Sequence, residues 1–206
     1  MEQSMTEKTV KKAVDYLIGT TEISKVNYLK CKLGMEVFFL NFTKLVIIYS
    51  TAFFLGLPKE VAIFHSSFML IRFFSYGAHA VSSFACTSIS LLLFVGIPYV
   101  LQEGLLSSEL LLLINLVNFI LLAKYAPGKT KKNFLGDKEH QRLLKRRSLI
   151  GNLLVLLVFL TISDLRICNL IVLGSFLAGL LVVPLTNNLF SIKFNSRKDM
   201  REWERY

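Results

Sequence analysis

Six stretches of the chain hold apolar residues almost without a break, and the charged residues collect between them. The stretches are 37–57, 61–76, 87–101, 109–124, 149–163 and 167–186. None shows the strict alternation of a half-buried strand, and none has the polar stripe that a helix of a soluble domain turns to water. Between Leu110 and Ala123 the only polar residues are Asn115 and Asn118. A helix needs about 17 to 25 apolar residues to cross the hydrocarbon core of a bilayer. The pattern therefore predicts an all-α fold, a polytopic membrane helical bundle of about six transmembrane segments. His65 and Arg72 interrupt the second stretch, so a re-entrant or amphipathic element is the alternative there. Ahead of the first stretch, Val10, Val14, Leu17 and Ile18 recur at helical spacing and predict an N-terminal amphipathic helix on the inner leaflet.

Basic residues give the orientation, because Lys and Arg are held on the cytoplasmic side while Asp and Glu count for little. Residues 124–147 carry nine of them: Lys124, Lys129, Lys131, Lys132, Lys138, Arg142, Lys145, Arg146 and Arg147. The first 36 residues carry six and the tail from Lys193 five, whereas the connections around Lys59, at 102–108 and at 164–166 together hold two. Six spans with both termini inside satisfy every one of these biases, and five or seven do not. The chain is then one domain, 1–206, with a cytoplasmic amphipathic segment at 1–36, a basic cytoplasmic loop at 124–148 and a cytoplasmic tail at 188–206. Its expected place is the bacterial cytoplasmic membrane, with the lipid bilayer as its solvent.

Composition agrees: 53% of the 206 residues are apolar, and mean hydropathy is +0.54. The net charge of +10 follows the topology and does not imply nucleic acid as a partner. The first thirty residues lack an apolar core flanked by a cleavage site, so they do not read as a secretory signal and the N-terminus is expected to be retained. No spacing of Cys, His and acidic residues suits a metal, and no cofactor is implied. Cys31, Cys86 and Cys168 are odd in number and lie in or near membrane, so free thiols are expected.

His79 and Cys86 carry the chemistry. They stand seven residues apart in the turn between the second and third stretches, at the cytoplasmic face. A thiolate is the reactive form of cysteine, and a thiol of ordinary pKa ~8.5 needs a base or a positive potential to ionise at neutral pH. On one continuous helix the two side chains would share a face about 10 Å apart along the axis, too far for proton transfer. The chain must bend between them. Gly77 permits a helix end, and Ser82 or Ser83 suits the N-cap of the next helix, which would set Cys86 in a first turn where the helix dipole favours thiolate. The plainer alternative is an apolar filler cysteine and an interfacial histidine. Cys31 and Cys168 have no base nearby and receive no role. His65 reads as a polar contact inside the bundle and His140 as a solvated loop residue.

Arg72 followed by Gly77-Ala78-His79-Ala80, then Ser82-Ser83-Phe84 and Cys86, resembles the signature of the accessory gene regulator B (AgrB) family of staphylococci and related Firmicutes. The likeness extends to Leu33-Gly34-Met35-Glu36-Val37, Lys44-Leu45-Val46-Ile47, Tyr125-Ala126-Pro127, Thr130-Lys131-Lys132 and the basic run ending at Arg147, so it covers most of the chain. The resemblance implies a membrane cysteine endopeptidase that processes an AgrD-like precursor of a quorum-sensing autoinducing peptide, with His79 and Cys86 as the catalytic pair. It implies loss of the precursor's C-terminal segment, a thioester acyl-enzyme on Cys86, and closure of a thiolactone or lactone ring. It also implies a homodimer. Tyr76 departs from the family, many of whose members carry a small or basic residue before the glycine, which bears on how the turn fits its substrate.

Further roles stay open. Gly77, Ser82, Ser83 and backbone N–H groups of the third span are candidates for the oxyanion site, and Arg72 either orients a substrate carboxylate or snorkels to the interface. Lys44, deep in the first span beside Asn41, is a candidate for a peptide path, with pairing to Glu36 as the alternative. Lys129, Lys131, Lys132, Arg142, Lys145, Arg146 and Arg147 are docking candidates for the acidic end of the precursor, or serve topology alone. The competing function is a membrane transporter without proteolytic activity, against which stands the lack of any repeat.

Overall fold

The computed structural model describes residues 12–16, 24–75, 83–128 and 138–186. Among these residues the chain is helical throughout, without a strand. Six helices answer to the six apolar stretches: α1 (Lys25–Phe54), α2 (Pro58–Ser75), α3 (Ser83–Leu91), α4 (Ser108–Tyr125), α5 (Lys138–Thr161) and α6 (Leu165–Leu180). α3 runs on through a π-helical turn, Leu92–Gly96, into a last α-turn, Ile97–Val100. α4 is long and apolar enough by itself to cross a membrane, and shorter apolar helical stretches occupy Phe38–Phe54, Cys86–Val100 and Leu165–Leu180.

The helices depart from the expected stretches in three places. α1 starts at Lys25, twelve residues before the apolar stretch at 37, so position 36 is no element boundary. α5 starts at Lys138, inside what was read as a basic loop, and carries His140 exposed on its first turn. Hydropathy measures where a helix meets lipid and not where it begins, and Lys, Glu, Gln and Arg are good helix formers. The second stretch, expected to be the weakest, is an uninterrupted helix of 18 residues. Of the N-terminal amphipathic helix, residues 12–16 are helical with Val14 buried; Val10, Leu17 and Ile18 lie outside the described residues.

Contacts divide the chain into residues 1–50 and 51–206. In the first unit the Tyr28 hydroxyl donates to Asp15 Oδ1 at 2.9 Å, which raises the Tyr28 pKa from its ordinary value.

The second unit is held by turns and by small residues. α1 ends in a left-handed Gly56 (φ 72°). Leu57 N donates to Ala52 O at 2.8 Å and Gly56 N to Phe53 O at 3.1 Å. That paired reversal satisfies the last carbonyls, with Ala52 and Leu57 both fully buried beside it. Pro58 then opens α2, where a missing N–H costs nothing. α2 packs chiefly on α6 and α5, and α4 on the same two helices. Approach is close because of glycine. A Cβ on Gly174 of α6 would collide with Phe64 O and Ser67 Oγ of α2, and one on Gly179 would collide with Asn118 Oδ1 of α4.

Polar residues line this interior while leucines face out. Asn118 Nδ2 donates to Asn152 Oδ1 at 2.7 Å, and Asn152 Nδ2 donates to Asn115 Oδ1 at 3.3 Å, joining α4 to α5. Asn169 exchanges bonds with Leu106, accepting from its N at 3.0 Å and donating to its O at 3.2 Å, so α6 holds the connection into α4. Below these lies an apolar cluster of Leu111, Val155, Cys168 and Val172. Leu113, Leu116 and Ile120 of α4 and Leu153, Leu157 and Leu160 of α5 are exposed. The interior is mainly apolar with these amides set into it, and the large apolar residues that also cover the outside exceed what a water-soluble surface carries.

Candidate functional site at the end of α2

Several elements converge where α2 ends. Ser75, the last residue of α2, is fully buried, and its carbonyl accepts from Gly128 N at 2.7 Å. The stretch that follows α4 is thereby drawn to the end of α2. Ala126 is extended, as the residue before a proline prefers, and its bond to Pro127 is cis. From α5, the Arg147 guanidinium lies 5.8 Å from the centroid of the Phe74 ring, a cation–π contact made by an exposed arginine. From α3, Cys86 comes within electrostatic range of Arg72.

Arg72 stands one turn before the end of α2 and Cys86 three residues after Ser83, the first described residue of α3. Both are partly buried. Two residues that the sequence marked separately, one as a substrate or oxyanion candidate and one as the nucleophile, are thus brought together. His79 and Gly77 lie outside the described residues, as do Tyr76, Ser82, Lys129, Lys131 and Lys132, and so does the side chain of Ser83.

The remaining candidates fall in distinct surroundings. Arg142, Lys145, Arg146 and Arg147 occupy the first three turns of α5. Arg142, Arg146 and Arg147 are exposed and Lys145 is half-buried. Lys44 is half-buried on α1 and Asn41 is exposed, so the two do not share a buried face; the side chain of Glu36 lies outside the described residues. Cys168 is a core residue whose Sγ sits 3.4 Å from Ile162 O. The His65 ring lies 4.8 Å from that of Phe94. Among the described residues no group of His, Cys, Asp and Glu could hold a metal ion.

Sequence reasoning missed Phe74, Ser75 and Gly128, the residues that tie α5 and the stretch after α4 to the end of α2. Phe74 is one of many aromatics in an apolar stretch, and a backbone bond such as that of Gly128 to Ser75 leaves no mark on composition.

Comparison with known proteins places the chain. It is 33% identical over 181 residues to an AgrB-like protein of Listeria monocytogenes, covering 87% of this chain and 85% of that one. An AgrB-like protein of Clostridium acetobutylicum is 31% identical over 180 residues, with the same coverage of 87% and 85%. Accessory gene regulator protein B of Staphylococcus aureus is 34% identical over 145 residues, 70% of this chain and 75% of the relative. No solved structure matches. A model of one family, described as accessory gene regulator B, matches residues 10–183, and the chain belongs to that family.

Proposed function

We propose that the protein is a multi-pass membrane cysteine endopeptidase of the bacterial cytoplasmic membrane, with six spans, both termini inside, and Cys86 as its nucleophile. Its substrate is an AgrD-like precursor peptide. The observation that carries the reading is the convergence on the end of α2 of Gly128, bonded to Ser75 O, and Arg147, on the Phe74 ring, next in the chain to the stretch that bears the His79 and Cys86 signature. The many outward-facing leucines support the membrane part, and interhelical asparagine bonds suit a bundle whose solvent is lipid.

In the first step His79 takes the thiol proton and the Cys86 sulfur attacks the carbonyl carbon of the scissile peptide bond. The tetrahedral oxyanion draws on backbone N–H groups and on Gly77, Ser82 or Ser83 around the turn. Collapse breaks the C–N bond, the leaving amine takes its proton from the imidazolium, and the C-terminal segment departs. The N-terminal part remains on Cys86 as a thioester. A thiol of the precursor then attacks that thioester, the Cys86 thiolate leaves, and a thiolactone ring closes; a hydroxyl in the same place gives a lactone. Exchange of one thioester for another is close to balanced, whereas closing a thiolactone directly from an amide is uphill. Water must be excluded while the acyl-enzyme lives, and a recessed site at the bilayer surface provides this.

Arg142, Lys145, Arg146 and Arg147 extend from the site along α5 as the docking face for an acidic C-terminal segment, continued by Lys129, Lys131 and Lys132. Lys44 belongs to the peptide path in this proposal, and a homodimer is the assembly.

Co-expression with the candidate precursor from the neighbouring small open reading frame tests the proposal. Cys86→Ser and His79→Ala should each leave the precursor full-length while the protein still inserts. Cleavage that survives both substitutions, with export lost instead, would point to the transporter.

A further inference from the structure

The helix that carries Cys86 is not regular. α3 passes into a π-turn at Leu92–Gly96, which ends two residues before Pro98. A π-turn holds an extra residue in the helix and forfeits hydrogen-bond quality, so something must repay it. Phe94, inside the turn and almost fully buried, meets three rings of α2. It stands edge-on to Phe68 at 4.8 Å and 83°, edge-on to Phe64 at 6.0 Å and 77°, and tilted on His65 at 4.8 Å and 56°. Edge-to-face pairs fix both distance and angle, because the positive edge of one ring seeks the negative face of the other.

This clamp sets a register. From Phe94 back to Cys86 is eight residues, about 12 Å of helix, and from Phe64 forward to Arg72 is the same eight residues and the same rise. The three rings of α2 span one turn and lie one to two turns before Arg72, so gripping Phe94 fixes the height of its helix, and with it that of Cys86, against the end of α2. The contacts of α2 with this strand of helix fall on the π-turn and on the last α-turn, Ile97–Val100. The end of α3 that carries Cys86 is thus steered from the clamp.

We infer that Phe94, presented by the π-turn and gripped by Phe64, His65 and Phe68, is the positioning residue for Cys86, setting the height of the sulfur against the end of α2. The inference rests on the peptidase reading for its consequence and on the aromatic contacts for its geometry. A reacting sulfur displaced by about 1 Å can lose as much as a hundredfold in rate.

Two readouts separate positioning from mere packing. In the full-length protein in membranes, Phe94→Ala should lower kcat for precursor cleavage about tenfold or more with KM little changed. Phe94→Tyr, which keeps the ring, should restore most of it. The second readout needs no peptidase activity. In a chain carrying Cys31→Ser, Cys168→Ala and Arg72→Cys, a short bismaleimide should join the introduced thiol to Cys86, and adding Phe94→Ala should cut the yield about fivefold, an order set by the same loss of geometry. Should Phe94→Ala fail to insert, Phe94→Leu takes its place, filling most of the volume without the ring edges. Unchanged kcat together with unchanged cross-linking in the inserted variant overturns the inference. Loss of cleavage in Cys86→Ser alongside that result leaves the peptidase reading standing; cleavage that survives Cys86→Ser sinks that reading while the cross-link still decides the positioning.

Discussion

Polar groups gather in two regions of this protein, and they behave in opposite ways. Inside the bundle Asn115, Asn118, Asn152 and Asn169 are buried and turned on one another or on nearby backbone. At the end of α2 the polar groups are charged or reactive: Arg72 near Cys86, and Arg147 exposed on the face of Phe74. The first region ties α4 to α5 and α6 to the connection before α4. In the proposed function the second is where the peptide substrate is met. Polarity alone does not mark function in a membrane protein; whether the groups are amides or are charged and reactive tells more.

The comparison is broken most sharply by substitutions that should affect one region and spare the other. Cys86→Ser should reduce precursor cleavage by about a thousandfold or more, as loss of a nucleophile does elsewhere, with no change in the detergent unfolding midpoint. A shifted midpoint would mean that the thiol is structural. Gly174→Val should do the reverse, since its side chain has no room against Phe64 O and Ser67 Oγ. A loss of about 3 kcal/mol in unfolding free energy is expected, and a value near zero would show that α2 and α6 do not approach as described.

Smaller effects sharpen the contrast. Asn152→Ala removes the partner of both Asn118 and Asn115 and should cost about 1 to 2 kcal/mol, the scale of interhelical bonds in membranes. A double-mutant cycle with Asn118→Ala checks it, and additive losses would deny the bond. Arg147→Gln should cost about 0.5 to 1 kcal/mol of stability with the loss of the Phe74 contact and raise KM for the precursor about fivefold, an effect on KM that fades as salt screens the charge. Equal KM at low salt would remove Arg147 from the docking face.

Much of this was legible in the sequence, for reasons that also explain the remainder. The six apolar stretches became six helices, because a long apolar run without strand alternation leaves the backbone to bond within itself. The true starts of α1 at Lys25 and α5 at Lys138 were not legible, because those turns extend beyond the apolar stretch and only backbone bonding defines them. Asn115 and Asn118 stood out as polar exceptions, yet their partner Asn152 sits on another helix, and one chain position does not name its neighbour. Within the site, Cys86 and Arg72 were read from residue type and signature. Phe74 and Phe94 were not, since among 17 phenylalanines in an apolar chain nothing distinguishes a clamp from a filler.

The central claim is that Cys86 forms a covalent acyl-enzyme. Intact-protein mass spectrometry of the membrane-embedded protein, quenched in acid shortly after mixing with precursor, tests it most directly. The account predicts an adduct equal in mass to the N-terminal part of the precursor, carried on Cys86, released by hydroxylamine and missing from Cys86→Ser. Precursor cleaved at full rate by Cys86→Ser, or an adduct mapped to Cys31 or Cys168, would contradict it.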